Sequence, residues 1–157
     1  WKNKNVEIIF NNFVKKISHD KIYFNNNEVK YDLSIWCGGV KISPLSQLVN
    51  KKLGLVSRRG ILVNPYLNFY EKCFAIGDCA DSGDVPTAQN AYQQGKYLAN
   101  RFNNNFRDDK KYSFNEKGKL CYIGEGNSIF ENKYISLTGK LGNLLGNVIH
   151  FYNKNFK

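Results

Sequence analysis

Apolar positions along the first part of the chain come in short runs separated by polar turn residues. Val6–Phe10, Phe13–Ile17 and Lys21–Phe24 each alternate or cluster over four or five positions, with Asn-Asn, His-Asp and Asn-Asn-Asn between them. Strand-length runs bounded by such residues predict a β-meander. A stronger run, Tyr31–Cys37, stops at Gly38-Gly39 and predicts a buried strand that delivers its carboxyl end to a glycine turn. The two glycines allow close backbone approach or positive φ.

Pro44 opens a stretch whose Leu45, Leu48, Val49 and Leu53 predict one short helix. Ile61–Val63 predicts a brief strand, broken at Asn64-Pro65, and Cys73–Ile76 a second strand ending at Gly77-Asp78. Pro86-Thr87 then introduces the longest helical pattern, Ala88 to about Phe102, with an Asn run as its stop. Tyr112–Phe114 and Lys119–Ile123 read as strands around a turn at Asn115–Gly118, with a further strand at Ser128–Phe130. From Ile135 to Tyr152, Leu137, Leu141, Leu144, Leu145, Val148 and Tyr152 recur at helical spacing. Gly139, Gly142 and Gly146 weaken that predicted helix by about 1 kcal/mol each relative to Ala, so it needs a surface to lie on.

Composition narrows the class. The chain has 157 residues, 42% hydrophobic and 15% aromatic, which is enough to bury a core. No window approaches the roughly 18 to 20 uninterrupted apolar residues of a membrane-spanning helix. The chain contains no Met and opens on Trp1-Lys2-Asn3, which leads us to expect a fragment of a longer protein. The net charge of +10 is spread over scattered pairs such as Lys15-Lys16, Arg58-Arg59 and Lys110-Lys111. That is not the clustered basic stripe of a nucleic-acid module, so no nucleic-acid partner is expected; attraction to anionic lipid head groups is the better use of the charge. Cys37, Cys73, Cys79 and Cys121 form no C-x-x-C pair, and His19 and His150 are isolated. We therefore expect reduced cysteines that serve as small packing residues, and no metal site.

Residues 74–101 carry the chemistry. A strand ending in Gly77-Asp78 sets a carboxylate in the crevice at a sheet's carboxyl edge, where ligands of open α/β folds bind. Such a carboxylate accepts hydrogen bonds from sugar or polyol hydroxyls. The next helix begins at Pro86-Thr87-Ala88-Gln89, whose free N–H groups and dipole suit an acceptor that gains negative charge. Ala88, Ala91, Gly95 and Ala99 leave one face shallow enough for a planar body or a neighbouring backbone. Gln89 and Gln93, one turn apart beside Tyr92, can present amides to a polar head group.

Phe74-Ala75-Ile76-Gly77-Asp78-Cys79-Ala80 and the run from Pro86-Thr87-Ala88-Gln89 through Tyr92-Gln93-Gln94-Gly95 to Ala99 closely resemble the second FAD motif of the type II, rotenone-insensitive NADH:quinone oxidoreductases. Ile35–Val40 resembles the strand that leaves that family's NADH domain, although Cys37 and Gly38 stand where Ala-Thr is common. Gly118–Gly124 resembles the hairpin opening its C-terminal domain. The resemblance covers about residues 6 to 150. It implies the C-terminal part of an α/β flavoprotein with two dinucleotide-binding domains, glutathione reductase-like. Residues 1–42 would end the NADH domain, 43–106 return the FAD domain, and 107–157 begin a membrane-associating domain.

Residue by residue, the resemblance implies that Gly77, Asp78, Thr87, Ala88 and Gln89 bind FAD. Gly38 and Gly39 would lie near the nicotinamide of NADH, and Gln89, Tyr92 and Gln93 would line the quinone site. The implied reaction oxidises NADH and reduces a quinone by two electrons without pumping protons. A homodimer on the inner mitochondrial membrane, peripheral to it, is implied, with the bacterial cytoplasmic membrane as alternative. Neither G-x-G-x-x-G fingerprint is present, so the chain alone is expected to be colourless and inactive. Sulfide:quinone reductases, ferredoxin reductase-like and apoptosis-inducing-factor-like flavoproteins are the nearest rivals; a basic RNA- or membrane-binding module is a more distant one.

Overall fold

The computed structural model describes residues 6–25, 27–107, 109–144 and 146. The chain divides into two compact units, Trp1–Val40 and Lys41–Lys157. In the first, β1 (Val14–Ile17), β2 (Lys21–Phe24) and β3 (Asn27–Lys30) form an antiparallel sheet in that order. Phe24 pairs with Asn27 and Ile22 with Val29. Asn25 turns the chain at φ +50°, a conformation that Asn tolerates better than most residues. The meander therefore sits one strand later than the sequence predicts: residues 6–9 form no strand, and the expected Asn turn supplies the start of β3.

The expected buried strand Tyr31–Cys37 does not form. No described strand runs alongside it, and a strand exists through its hydrogen-bonded partner rather than through apolar content. Leu33 and Ile35 are each 78% exposed.

In the second unit, α1 (Pro44–Leu53) begins where Ser43 Oγ accepts from the Ser46 N–H at 3.1 Å and ends at Gly54 in the left-handed region. Its buried Asn50 donates through Nδ2 to Gly60 O at 2.8 Å. That contact seats the helix beside β4 (Ile61–Leu62), which runs parallel to β7 (Ala80–Asp81). Gly60 is needed for space, since a Cβ there would lie 2.6 Å from Cys79 O. Between these strands, β5 (Asn68–Tyr70) and β6 (Cys73–Phe74) make a small antiparallel hairpin. The predicted strand Cys73–Ile76 is shortened because its partner ends: Ala75 still donates its N–H to Leu67 O at 3.2 Å, but Leu67, at φ +64°, does not continue β5.

The helix α2 (Ala88–Asn103) forms as predicted. Near its end, Phe102 and Phe106 pack edge-on at 5.1 Å, and both meet Phe74. The Arg101 guanidinium lies 4.9 Å from the Tyr66 ring centroid and 5.3 Å from that of Phe106.

The last sheet holds β8 (Lys119–Gly124), β9 (Asn127–Glu131) and β10 (Ser136–Gly139), with β9 in the middle. Its first hairpin turns at Glu125-Gly126, both at positive φ; the hairpin predicted at Asn115–Gly118 is absent. The helix predicted over Ile135–Tyr152 is also corrected, because Ser136–Gly139 pairs with β9 and helix begins only at residue 140. Leu145, Val148 and Tyr152 lie outside the described residues. The glycines have a role that helix propensity does not reveal. Gly142 packs where a Cβ would lie 2.5 Å from Ser128 O, and Gly146 where one would lie 2.8 Å from Leu120 Cδ2. Among the described residues, no helix is long and apolar enough to cross a membrane. All four cysteines are free, and all are exposed, so the expected packing role is not theirs.

Candidate functional site

After β6 the chain runs inward through Ala75 and reverses at Gly77, whose φ of +70° is the left-handed value that favours glycine. A side chain there would meet only Ala91 Cβ, at 3.5 Å, so backbone conformation and not space demands the glycine. Gly77, Asp78 and Cys79 form one 3-10 turn against α2. Asp78 is exposed, and its carboxylate has no hydrogen-bond or ion-pair partner among the described residues.

Beyond β7, Asp81 fixes the loop. It accepts from Ser57 Oγ at 2.6 Å and from the Gly83 N–H at 3.2 Å, and pairs with Arg59 at 3.2 Å. At the start of α2, Thr87 Oγ1 accepts from the Asn90 N–H at 3.1 Å and Thr87 O from the Ala91 N–H at 2.9 Å. The N–H groups of Ala88 and Gln89 are left without acceptors among the described residues. An aligned helix end with free donors attracts electron-rich groups.

Gln89 and Gln93 are engaged, not solvated. Gln93 Nε2 donates to Asn115 O at 2.8 Å, and its Oε1 accepts from the Asn115 N–H at 3.0 Å. Gln89 Oε1 accepts from the Lys117 N–H at 2.7 Å, with Nε2 3.5 Å from Gly118 O. One turn further along, Tyr97 donates its hydroxyl to Lys110 O at 2.8 Å. The segment 110–118, predicted as strand and turn, is therefore an extended strap tied along α2 by every fourth residue of the helix. Tyr92 lies off this row and is 68% exposed.

The sequence pattern passes over the two most buried amides, Asn90 and Gln94. Asn90 donates through Nδ2 to Val85 O at 3.1 Å and accepts from the Tyr112 hydroxyl at 2.5 Å. Gln94, 1% exposed, accepts from the Gly77 N–H at 2.6 Å and donates to Ser82 Oγ at 3.1 Å. Ser82 in turn donates to Asp84 at 3.2 Å. Burial, with a smaller contribution from Asp84, pushes the Tyr112 hydroxyl up to about 12. A signal for the buried amides is present in the sequence: Asn90 and Gln94 share a helical row with Leu98, itself buried.

Among the sequence-predicted residues, Gly77, Asp78, Thr87, Ala88, Gln89 and Gln93 thus lie on or against the N-terminal half of α2. Gly38 and Gly39 belong to the first unit, where Gly38 packs against the Trp36 ring and Gly39 has φ +93°. The second-unit residues fit a dinucleotide such as FAD. They offer an unpartnered carboxylate, two unclaimed N–H groups and, at Gly95, a helix surface with no atom within 4 Å of a Cβ position.

Comparison with known proteins places the chain in a family. Residues 1–95 match the family profile of the pyridine nucleotide-disulphide oxidoreductases. The Dictyostelium discoideum protein named "Probable NADH dehydrogenase" is 30% identical over 152 residues, covering 90% of this chain and 33% of its own length. A Schizosaccharomyces pombe protein named as a probable mitochondrial NADH-ubiquinone oxidoreductase is 34% identical over 110 residues, 62% of this chain and 20% of that protein. The mitochondrial external alternative NADH-ubiquinone oxidoreductase of Yarrowia lipolytica is 40% identical over 80 residues, 48% of this chain and 14% of that protein. The chain thus spans a third or less of these relatives. With more than half of its length matched by the family profile, the chain belongs to the pyridine nucleotide-disulphide oxidoreductase family.

Proposed function

We propose that the chain acts within a longer polypeptide as the flavin-facing C-terminal part of a type II NADH:quinone oxidoreductase. In this reading residues 1–42 end the NADH domain, 43–106 complete the FAD domain and 107–157 open a membrane-associating domain. The observation that carries it is the Gly77–Cys79 turn held against α2, beside a helix end whose Ala88 and Gln89 N–H groups lack partners among the described residues. The names of the relatives, which include NADH-ubiquinone oxidoreductases, support the same substrates.

Asp78 would accept hydrogen bonds from the ribityl or pyrophosphate part of FAD, and the first turn of α2 would face the isoalloxazine carbonyl edge. Bound there, FAD would supply the redox chemistry, a two-electron transfer from NADH to a quinone without proton pumping. Gln89, Tyr92 and Gln93 would border the quinone approach, with Gln89 and Gln93 also holding the strap that forms its wall. Gly38 and Gly39 would stand near the nicotinamide. Exposed Leu141 and Leu144, 67% and 62% accessible, would contribute to peripheral membrane contact. The site of action would be the mitochondrial inner membrane, and the assembly a homodimer.

The test is made on the purified full-length protein. It should carry FAD, and Asp78→Ala should lower flavin occupancy. Gln93→Ala should slow reoxidation by quinone while NADH still bleaches the flavin. A parent protein without flavin, or equal loss of both half-reactions in Gln93→Ala, refutes the reading.

A further inference from the structure

Gln94 is the most deeply buried polar side chain described, and nothing in the proposed reaction uses it. Its amide has two ends, and each is taken by a different segment. The carbonyl oxygen accepts from the Gly77 N–H at 2.6 Å, and the amide nitrogen donates to Ser82 Oγ at 3.1 Å. Because Ser82 gives its own proton to Asp84, it meets Gln94 only as an acceptor. The polarity of the row is thereby fixed from α2 outward. A hydrocarbon of the same size at position 94 would leave the Gly77 N–H unpaired, and a charged side chain would be buried beside the Ser82–Asp84 pair.

The consequence falls on the neighbouring residue. Gly77 adopts φ +70°, and Asp78 follows it within the same 3-10 turn, exposed and without a partner among the described residues. With no partner among the described residues, the Asp78 side chain leaves the backbone in the direction that the turn sets for its Cα–Cβ bond. That turn is fastened to α2 through the Gly77 N–H and packed on Ala91. The same helix presents the unclaimed N–H groups of Ala88 and Gln89. Gln94 therefore sets the relation between the carboxylate and the helix end from below, without reaching the surface.

We infer that Gln94 is a positioning residue for flavin, acting through the Gly77–Asp78 turn. The inference rests on the reading of Asp78 and the α2 N-terminus as the FAD contact.

The experiment measures the Kd of FAD for the full-length apoprotein, alongside its thermal midpoint and hydrogen exchange at the Gly77 amide. Gln94→Met is expected to raise the Kd by about tenfold or more, in proportion to the loss of the aligned turn. Exchange at Gly77 should rise with it. In a double-mutant cycle with Asp78→Ala, the two effects should be clearly less than additive, because both remove the same contact; a purely structural role gives additive losses. Gln94→Glu keeps an acceptor for Gly77, and its buried carboxyl favours the protonated form. In mildly acidic buffer it should restore the Kd to within about threefold of the parent. If Gln94→Met does not fold, Ser82→Ala loosens the clamp from its other end. It should raise the Kd about threefold and speed exchange at Gly77, and no change in either overturns the inference. A parent protein that binds no FAD removes the flavin reading and the inference together. A parent that binds FAD, with Gln94→Met at unchanged Kd or with additive losses, removes the inference alone.

Discussion

Gln93 holds the backbone of Asn115 from both sides, donating to its carbonyl at 2.8 Å and accepting from its N–H at 3.0 Å. The pair copies the exchange of bonds between two strands, with a side-chain amide in place of one backbone. Removing it should free the strap before it harms the helix. Gln93→Ala is expected to cost about 1 to 2 kcal/mol for two partly solvated bonds, and to open residues 110–118 to limited proteolysis. Unchanged cleavage across the strap would show that Gln89 and Tyr97 hold it alone.

The hydroxyl of Tyr112 donates to Asn90, and burial first and Asp84 second push it up to about 12 from the ordinary value of 10.0. A phenol whose proton is held more tightly in the folded state adds stability that is complete below pH 10. That stability is lost as the pH rises towards about 12. Tyr112→Phe should therefore show a shallower loss of stability in that window. Identical urea midpoints as a function of pH for the two proteins would contradict it.

Two glycines should respond to alanine with opposite signs. Gly60→Ala forces a methyl towards Cys79 O at 2.6 Å, backbone that cannot yield, and should cost about 1 to 3 kcal/mol. Gly95→Ala meets nothing within 4 Å in the middle of α2 and should gain about 1 kcal/mol from helix propensity. Denaturant unfolding of the two variants decides the matter, and a loss at Gly95 would mean that its face is already covered.

Leu67 has no accessible surface and sits at φ +64°, an uncommon conformation for a non-glycine residue. Asn64 holds the bend, accepting from the N–H groups of Tyr66 and Asn68. Leu67→Ala should lower stability by about 2 to 5 kcal/mol, and a loss below 1 kcal/mol in chemical denaturation would show that the site collapses around the gap.

The helices α1 and α2 carry local signals at their ends. Pro44 and Pro86-Thr87 mark their starts and the Asn run the end of α2, whereas the Ser43 and Gly54 caps of α1 emerge only in the structure. These signals are local, and the first turn depends on little else. The run Tyr31–Cys37 misled because its strand depends on a partner that apolarity cannot specify. Ile135–Tyr152 misled because Ser136–Gly139 has a strand beside it, and pairing outweighed helical spacing. The site divides in the same way. The Gly77-Asp78 turn and the start of α2 are each marked by adjacent residues, so both are legible in the sequence. Asn90 and Gln94 look like solvated amides until the loop they satisfy folds over them, and Asn115–Gly118 looks like a turn until Gln89 and Gln93 draw it straight.

One helix thus fastens two different segments by adjacent rows: 90 and 94 reach the loop before it, 89, 93 and 97 the strap after it, with the strap's Tyr112 hydroxyl also reaching Asn90. The rows stand only about 100° apart around the axis. A single inserted or deleted residue between Gln89 and Tyr97 would rotate one row into the other's place and present amides to the wrong segment. Length variation should therefore be barred from this stretch and admitted just beyond it, at the exposed Asn103–Asn105, where the chain is free to lengthen without turning either row.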